Sequence, residues 1–361
     1  TNMVEGDVVN PFVLSISTSV DISIAFQNGW NWFSINVEGE SMDINDVLET
    51  VDQGIYIKNQ EGFSDYYAGF GWFGAVEDIS VESTYKINLG TNPGDTLYYS
   101  GVPVDPATRP ISLTDGWNWI GYLPQVSLPI NDALESLGEA GVYIKSQEGF
   151  SDYYAGFGWF GAVETMDPLG GYAIDMSEAA ELLYPSGGGV FSRNDNSYES
   201  NTIESINDFN YREYEFNGSV MSEVNIDNVN VSGSDMLVAY IDGECRGYTN
   251  AMLFPLTNKY IFPLMIYSSN VEGELVTFKY YNTALDQLFD LTESMHFQSD
   301  MIIGNGLNTF ELNGGNAELV EGLNINAAFP NPFNPVTNLE YTLSQAGNVE
   351  IVVYDIMGRQ V

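Results

Sequence analysis

An eighteen-residue stretch occurs twice in this chain without a single change. Residues 60–77 and 147–164 both read Gln-Glu-Gly-Phe-Ser-Asp-Tyr-Tyr-Ala-Gly-Phe-Gly-Trp-Phe-Gly-Ala-Val-Glu. The copies stand 87 positions apart (147 − 60). The same offset carries Tyr56-Ile57-Lys58 onto Tyr143-Ile144-Lys145 and Gly29-Trp30-Asn31-Trp32 onto Gly116-Trp117-Asn118-Trp119. A whole module is therefore duplicated, and any fold must build the same aromatic surface twice. An active site is seldom needed twice on one chain, whereas a contact surface gains avidity from being presented twice.

The first module is expected over residues 20–101 and the second over residues 111–187, joined by a Pro-containing linker at Pro103 to Pro110. Each opens on Gly-Trp-Asn-Trp, a turn into an aromatic strand. Each then carries one short helical pattern, with apolar residues at i, i+3, i+4 and i+7: Ile44, Val47, Leu48 and Val51 in the first, Ile130, Ala133, Leu134 and Leu137 in the second. Ahead of them, residues 1–26 form an extended arm. From Leu14 through Ile16, Val20, Ile22 and Ile24 the apolar residues fall on alternate positions, a strand signal. That arm is expected either as an edge strand of the first module or as a strand offered to another sheet.

With 361 residues, the chain has room for three or four domains of the usual size. An aromatic content of 14%, 36 glycines and only 17% charged residues favour strands and turns over helical bundles. The fold class expected is mainly β: tandem β-rich modules with one short helix each, followed by β-sandwich domains. Fifty acidic against ten basic residues give a net charge of −40, which leaves nothing to neutralise phosphates and argues against nucleic acid or an anionic membrane as partner. No stretch approaches the ~20 consecutive apolar residues of a membrane span. Thr1 in place of an initiating methionine is what a processed chain would show.

Residues 192–318 read as a third domain, a β-sandwich whose best strands are Met236 to Ile241, Tyr260 to Tyr267 and Glu274 to Tyr281. Pro263 places the second of these at an edge or a bulge. The single histidine, His296, lies in a strand context that suits a partly buried structural residue, and the single cysteine, Cys245, suits a small buried one. Neither has the neighbours of a nucleophilic or zinc site. A hydrolase using two carboxylates is the remaining enzymatic reading. Asp227, Asn228, Asp242 and Glu244 offer hard oxygen ligands in turns and are candidates for a structural calcium site.

Near the end, Ala328-Phe329-Pro330-Asn331-Pro332-Phe333-Asn334-Pro335-Val336-Thr337, Leu339-Glu340-Tyr341-Thr342-Leu343 and Tyr354-Asp355-Ile356-Met357-Gly358-Arg359 resemble the C-terminal sorting domain of the type IX (Por) secretion system of Bacteroidota and their relatives. The resemblance covers residues 326–361 and implies export across the outer membrane to the cell surface, on a small β-sandwich that is removed or used for attachment. The chain stops at Val361 where family members continue, so about half of that sandwich is expected. Asp95-Thr96-Leu97 resembles the short O-glycosylation signal of the same bacteria and makes Thr96 a candidate modification site.

For the duplicated stretch three readings stand: module core, sugar-stacking platform, and self-assembly contact. Trp72, Phe73 and their counterparts are expected in the core. The tyrosine pairs Tyr66-Tyr67 and Tyr153-Tyr154, beside Asp65 and Asp152, are expected at a partner or glycan surface. The function expected is that of a secreted, non-enzymatic structural or adhesive surface protein without a cofactor, a self-assembling filament subunit joined by strand addition. A glycan-binding accessory protein is the alternative.

Overall fold

The computed structural model describes residues 18–186, 206, 208–314, 323–325 and 341–343. It is mainly β, as expected, with two four-residue helices, Ile44–Val47 and Ile130–Ala133, among the described residues. The chain divides into two units, residues 1–313 and 314–361. In the second, Leu323–Ile325 pairs antiparallel with Tyr341–Leu343. Most of the sorting-domain resemblance lies outside the described residues.

Each module is a five-stranded antiparallel sheet in the same order. In the first, the strands run Trp30–Phe33, Tyr85–Asn88, Tyr56–Lys58, Phe63–Tyr67, Gly71–Gly74; in the second, Gly116–Ile120, Tyr172–Met176, Gly141–Lys145, Phe150–Tyr154, Gly158–Gly161. Local chemistry explains the repeated letters. The Asn31 amide accepts from Gln27 N and donates to Gln27 O and Gly29 O, closing the turn that Gly29 opens at φ 76°. Asn118 does the same to Thr114 and Gly116. Ser64 and Ser151 are buried and clamp the next strand, each hydroxyl donating to the carbonyl and accepting from the N–H of Val76 or Val163.

The helical patterns form as expected, with all eight of their apolar residues buried. They sit 86 positions apart (130 − 44), one less than the sheets, because the second copy lacks a residue before the helix and gains one after it. The helix still fulfils one task in both copies. Asn45 Oδ1 accepts from Trp72 N at 2.7 Å, and Asn131 Oδ1 from Trp159 N at 2.7 Å, pinning the last strand of the sheet. Asn131→Ala is expected to cost about 1–3 kcal/mol by leaving that partly buried N–H unpaired. Urea titration reads this directly, and an unmoved midpoint would remove the clamp from the account.

The two modules do not stand as separate cores. Their buried side chains form one cluster, from Ile22 of the first module to Tyr184 of the second. The pairing is a pseudo-twofold built on the 87-residue offset. Phe33 bridges Gly170 while Ser83 bridges Ile120. Gln147 Nε2 donates to Trp30 O and Gln60 Nε2 to Trp117 O, while Trp32 N and Trp119 N donate back to the two glutamine oxygens. This is the isologous geometry of a symmetric dimer, made within one chain.

Val20–Phe26 pairs antiparallel with Asp95–Pro103 of its own module, in a three-stranded sheet completed by Val37–Glu38. For Val20, Ile22 and Ile24 the arm is thus paired in cis. The alternation explains why: Ile22 is buried, with Val20 and Ile24 packed against the core. Leu14 and Ile16 lie outside the described residues.

The third domain forms a nine-stranded antiparallel-dominated sheet that curls nearly closed. Its order is Glu244–Asn250, Met236–Ile241, Glu272–Asn282, Gln287–Gln298, Phe310–Gly314, Phe216–Ile226, Lys259–Ser268, Met252–Phe254, with Ile302–Ile303 beside Phe216–Ile226. Pro263 pairs opposite Met221, and Met252–Phe254 covers only Lys259–Ile261, so the proline sits where that neighbour has ended. Cys245 is buried, and burial raises its thiol pKa. His296, expected partly buried, is exposed, its Nδ1 3.2 Å from Gly273 O, because it falls on the outward positions of its alternating strand.

Candidate contact surface

The repeated strand Phe63–Tyr67 obeys the two-residue period of a sheet. Ser64 and Tyr66 face the core, where the Tyr66 ring lies 5.3 Å from Trp72. Phe63, Asp65 and Tyr67 face outward, joined on that face by Tyr56 and Lys58 from one neighbour and Phe73 from the other. The second copy places Tyr143, Lys145, Phe150, Asp152, Tyr154 and Phe160 at the same points. The tyrosine pairs are therefore split: Tyr66 and Tyr153 pack inward, Tyr67 and Tyr154 outward. Phe73, expected in the core, points outward, since it alternates with the buried Trp72.

What differs between the copies is what covers them. In the second, Phe150 and Tyr154 are 1% and 5% exposed; in the first, Phe63 and Tyr67 are 51% and 52% exposed, with Phe73 at 79% and Phe70 at 92%. The cover is the third domain. The Phe254 ring lies 4.9 Å from Tyr154 and 5.2 Å from Phe160. Gly306 N donates to the Tyr154 hydroxyl at 2.7 Å, and the Tyr267 hydroxyl donates to Gln147 O at 2.8 Å. Burial pushes the Asp152 carboxyl up to about 7, against the pull of a hydrogen bond with Tyr154, and among the described residues its Oδ2 has no hydrogen-bond partner.

Lysines mark the boundary of this surface. Lys145 Nζ sits 4.7 Å over the Trp117 ring and donates to Asn217 at 2.9 Å and Asp300 at 2.5 Å. Lys58 sits 4.8 Å over Trp30 and donates to Glu215 at 2.6 Å. Lys86 lies between the Trp32 and Trp119 rings, 3.7 and 3.9 Å from their centres. Burial holds its ammonium well below the usual lysine range, and the neighbouring Lys145 adds to that. Its counterpart in the second copy is Ala173, so this lysine breaks the pseudo-symmetry. The repeated Tyr-Ile-Lys triplet was the sequence signal for the Lys58 and Lys145 roles.

The calcium candidates do not converge. Asp242 and Gly243, at φ 51° and 82°, form the two-residue turn between Ile241 and Glu244, and Glu244 pairs with Arg246 at 3.2 Å. Asn228, at φ 60°, turns the chain beside Asp227 after Phe216–Ile226. Among the described residues no group of three or more His, Cys, Asp or Glu could hold a metal ion. Thr96 is half-buried on Asp95–Pro103, its N–H bonded to Asp95 Oδ1 at 2.8 Å. No helix among the described residues is long and apolar enough to cross a membrane.

Compared with family models, curated proteins and solved structures, the chain matches none.

Proposed function

We propose that this chain is a secreted, non-enzymatic structural or adhesive protein of the cell surface, and that it associates with further copies of itself through the open aromatic face of its first module. One observation carries the reading. The surface that is uncovered around Tyr67 and Phe73 is, residue for residue, the surface that the third domain buries around Tyr154 and Phe160. That chemistry already serves as a protein contact once in the molecule. The resemblance of residues 326–361 to a sorting signal supports export. Strand addition, as in a filament, has a route at the edge of Val20–Phe26 that Asp95–Pro103 does not occupy.

Sedimentation velocity and electron microscopy of the full chain test this. Association that grows with concentration is expected, and Tyr67→Ala with Phe73→Ser should weaken it about tenfold or more, as loss of central aromatic anchors does. A chain that stays monomeric up to its solubility limit would end the self-assembly reading.

Exposed rings at Tyr67, Phe70 and Phe73 favour a second reading, a stacking platform for a neutral polysaccharide with Asp65 accepting from its hydroxyls. Affinity electrophoresis in polysaccharide gels separates the two: retardation abolished by Tyr67→Ala supports sugar binding, and unaltered mobility removes it.

A further inference from the structure

We propose that the open face of the first module is a second seat for the chain's own third domain, alternative to the seat it occupies on the second module. This is independent of what else the open face binds.

Chemical identity is the first support. The third domain holds the second module through Tyr143, Lys145, Gln147, Glu148, Tyr154 and Phe160. Every one has the same residue 87 positions earlier: Tyr56, Lys58, Gln60, Glu61, Tyr67 and Phe73. The first module therefore offers the Phe254 edge of the third domain the same rings, the same hydroxyl for Gly306 N and the same carbonyl for the Tyr267 hydroxyl.

Placement is the second support. The two seats are related by the pseudo-twofold, and the third domain already straddles it. While Asp300 holds Lys145, Glu215 holds Lys58, with the Phe216 ring 5.6 Å from that ammonium. Relocation is a half-turn about the pseudo-twofold, in which Asp300 takes Lys58 and Glu215 takes Lys145. The same pairings make the seats mutually exclusive, because each lysine has one ammonium and both are engaged in either position.

The glycines that open the modules carry the same asymmetry. A Cβ on Gly29 would lie 2.1 Å from Arg212 O, whereas one on Gly116 would meet nothing within 4 Å. Both have positive φ, 76° and 81°. In the alternative seat Arg212 would crowd Gly116 and release Gly29. In either position one aromatic face is covered and its twin is open, so the duplication keeps one face always available.

Hydrogen exchange with mass spectrometry on the full chain tests this. Peptides reaching Asn59 or Asp78 report the first copy, and those reaching Ser146 or Thr165 the second. Tyr154→Ala should deprotect Phe150–Tyr154 and slow exchange across Phe63–Tyr67 about tenfold, while the mass in solution stays monomeric. Tyr67→Ala should leave the pattern of the native chain unchanged. Gly116→Ala alone should lower stability through the strain of its positive φ without changing which copy is protected, yet in the Tyr154→Ala background it should abolish the gained protection by blocking Arg212. Loss of protection in the second copy with no gain in the first overturns the proposal, as does a gain that appears only with a doubled mass, which would make the occupant the third domain of a second copy.

Discussion

Gly121→Ala is expected to cost about 3 kcal/mol, the largest loss from any single added methyl in the module pair. The new Cβ would stand 1.9 Å from Val81 O and 2.9 Å from Val81 C, both backbone atoms that no rotamer change can move. The strands cannot simply separate, because Gly121 N donates to Glu82 O at 2.9 Å and its mirror image, Ser34 N, donates to Leu169 O at 3.1 Å. Position 34 accepts a side chain and position 121 does not, a local departure from the pseudo-twofold. Ser34 Oγ donates to Gly170 O at 2.7 Å and accepts from Tyr122 N at 3.2 Å, filling space on one side of the axis. Urea unfolding at neutral pH reads the effect. Gly233→Ala, whose Cβ would approach nothing closer than 3.6 Å, serves as the control. Equal midpoints for the two variants would mean that the module interface yields where its hydrogen bonds say it should not.

The strands, the helices and the duplication were legible in the sequence because each rests on local periodicity. Ile44, Val47, Leu48 and Val51 specify a buried helical stripe wherever the rest of the chain goes. The pairing of the modules was not legible, since a repeat separated by 87 residues says nothing about which edges meet. Gln60 and Gln147, which sew the interface with four hydrogen bonds, read as ordinary polar residues opening a loop. For the contact surface, alternation along Phe63–Tyr67 would have separated Tyr66 from Tyr67 and turned Phe73 outward from Trp72. Tyr66 and Tyr67, adjacent in the sequence, fall on opposite faces under that two-residue period. No pattern in the letters could have shown that Tyr154 is covered and Tyr67 open, because the eighteen residues are identical and only the third domain tells them apart.

Asp152→Asn is expected to reshape the pH dependence of stability. Burial by the third domain raises the Asp152 carboxyl from 3.8 to about 7. A carboxyl whose folded pKa is raised holds its proton more tightly in the native state, so its contribution is most favourable at low pH. Below about pH 4 the acid is protonated in both states and burial carries no ionic penalty. As pH rises from about 4 to about 7 the unfolded chain ionises first, and stability falls. Above that the penalty is constant, about three pK units or on the order of 4 kcal/mol. Asparagine has the same shape and no charge to bury. The stability of Asp152→Asn relative to the native chain should therefore be near zero at about pH 4 and rise to its plateau by about pH 8. Urea midpoints measured across that range check it, with the difference between the two proteins cancelling the titration of the other forty-nine acidic residues. Parallel curves would mean that water reaches Asp152 and that the third domain covers it less tightly than Gly306, Tyr267 and Phe254 imply. A difference that follows the expected curve would show that burial under the third domain sets the electrostatic environment of Asp152.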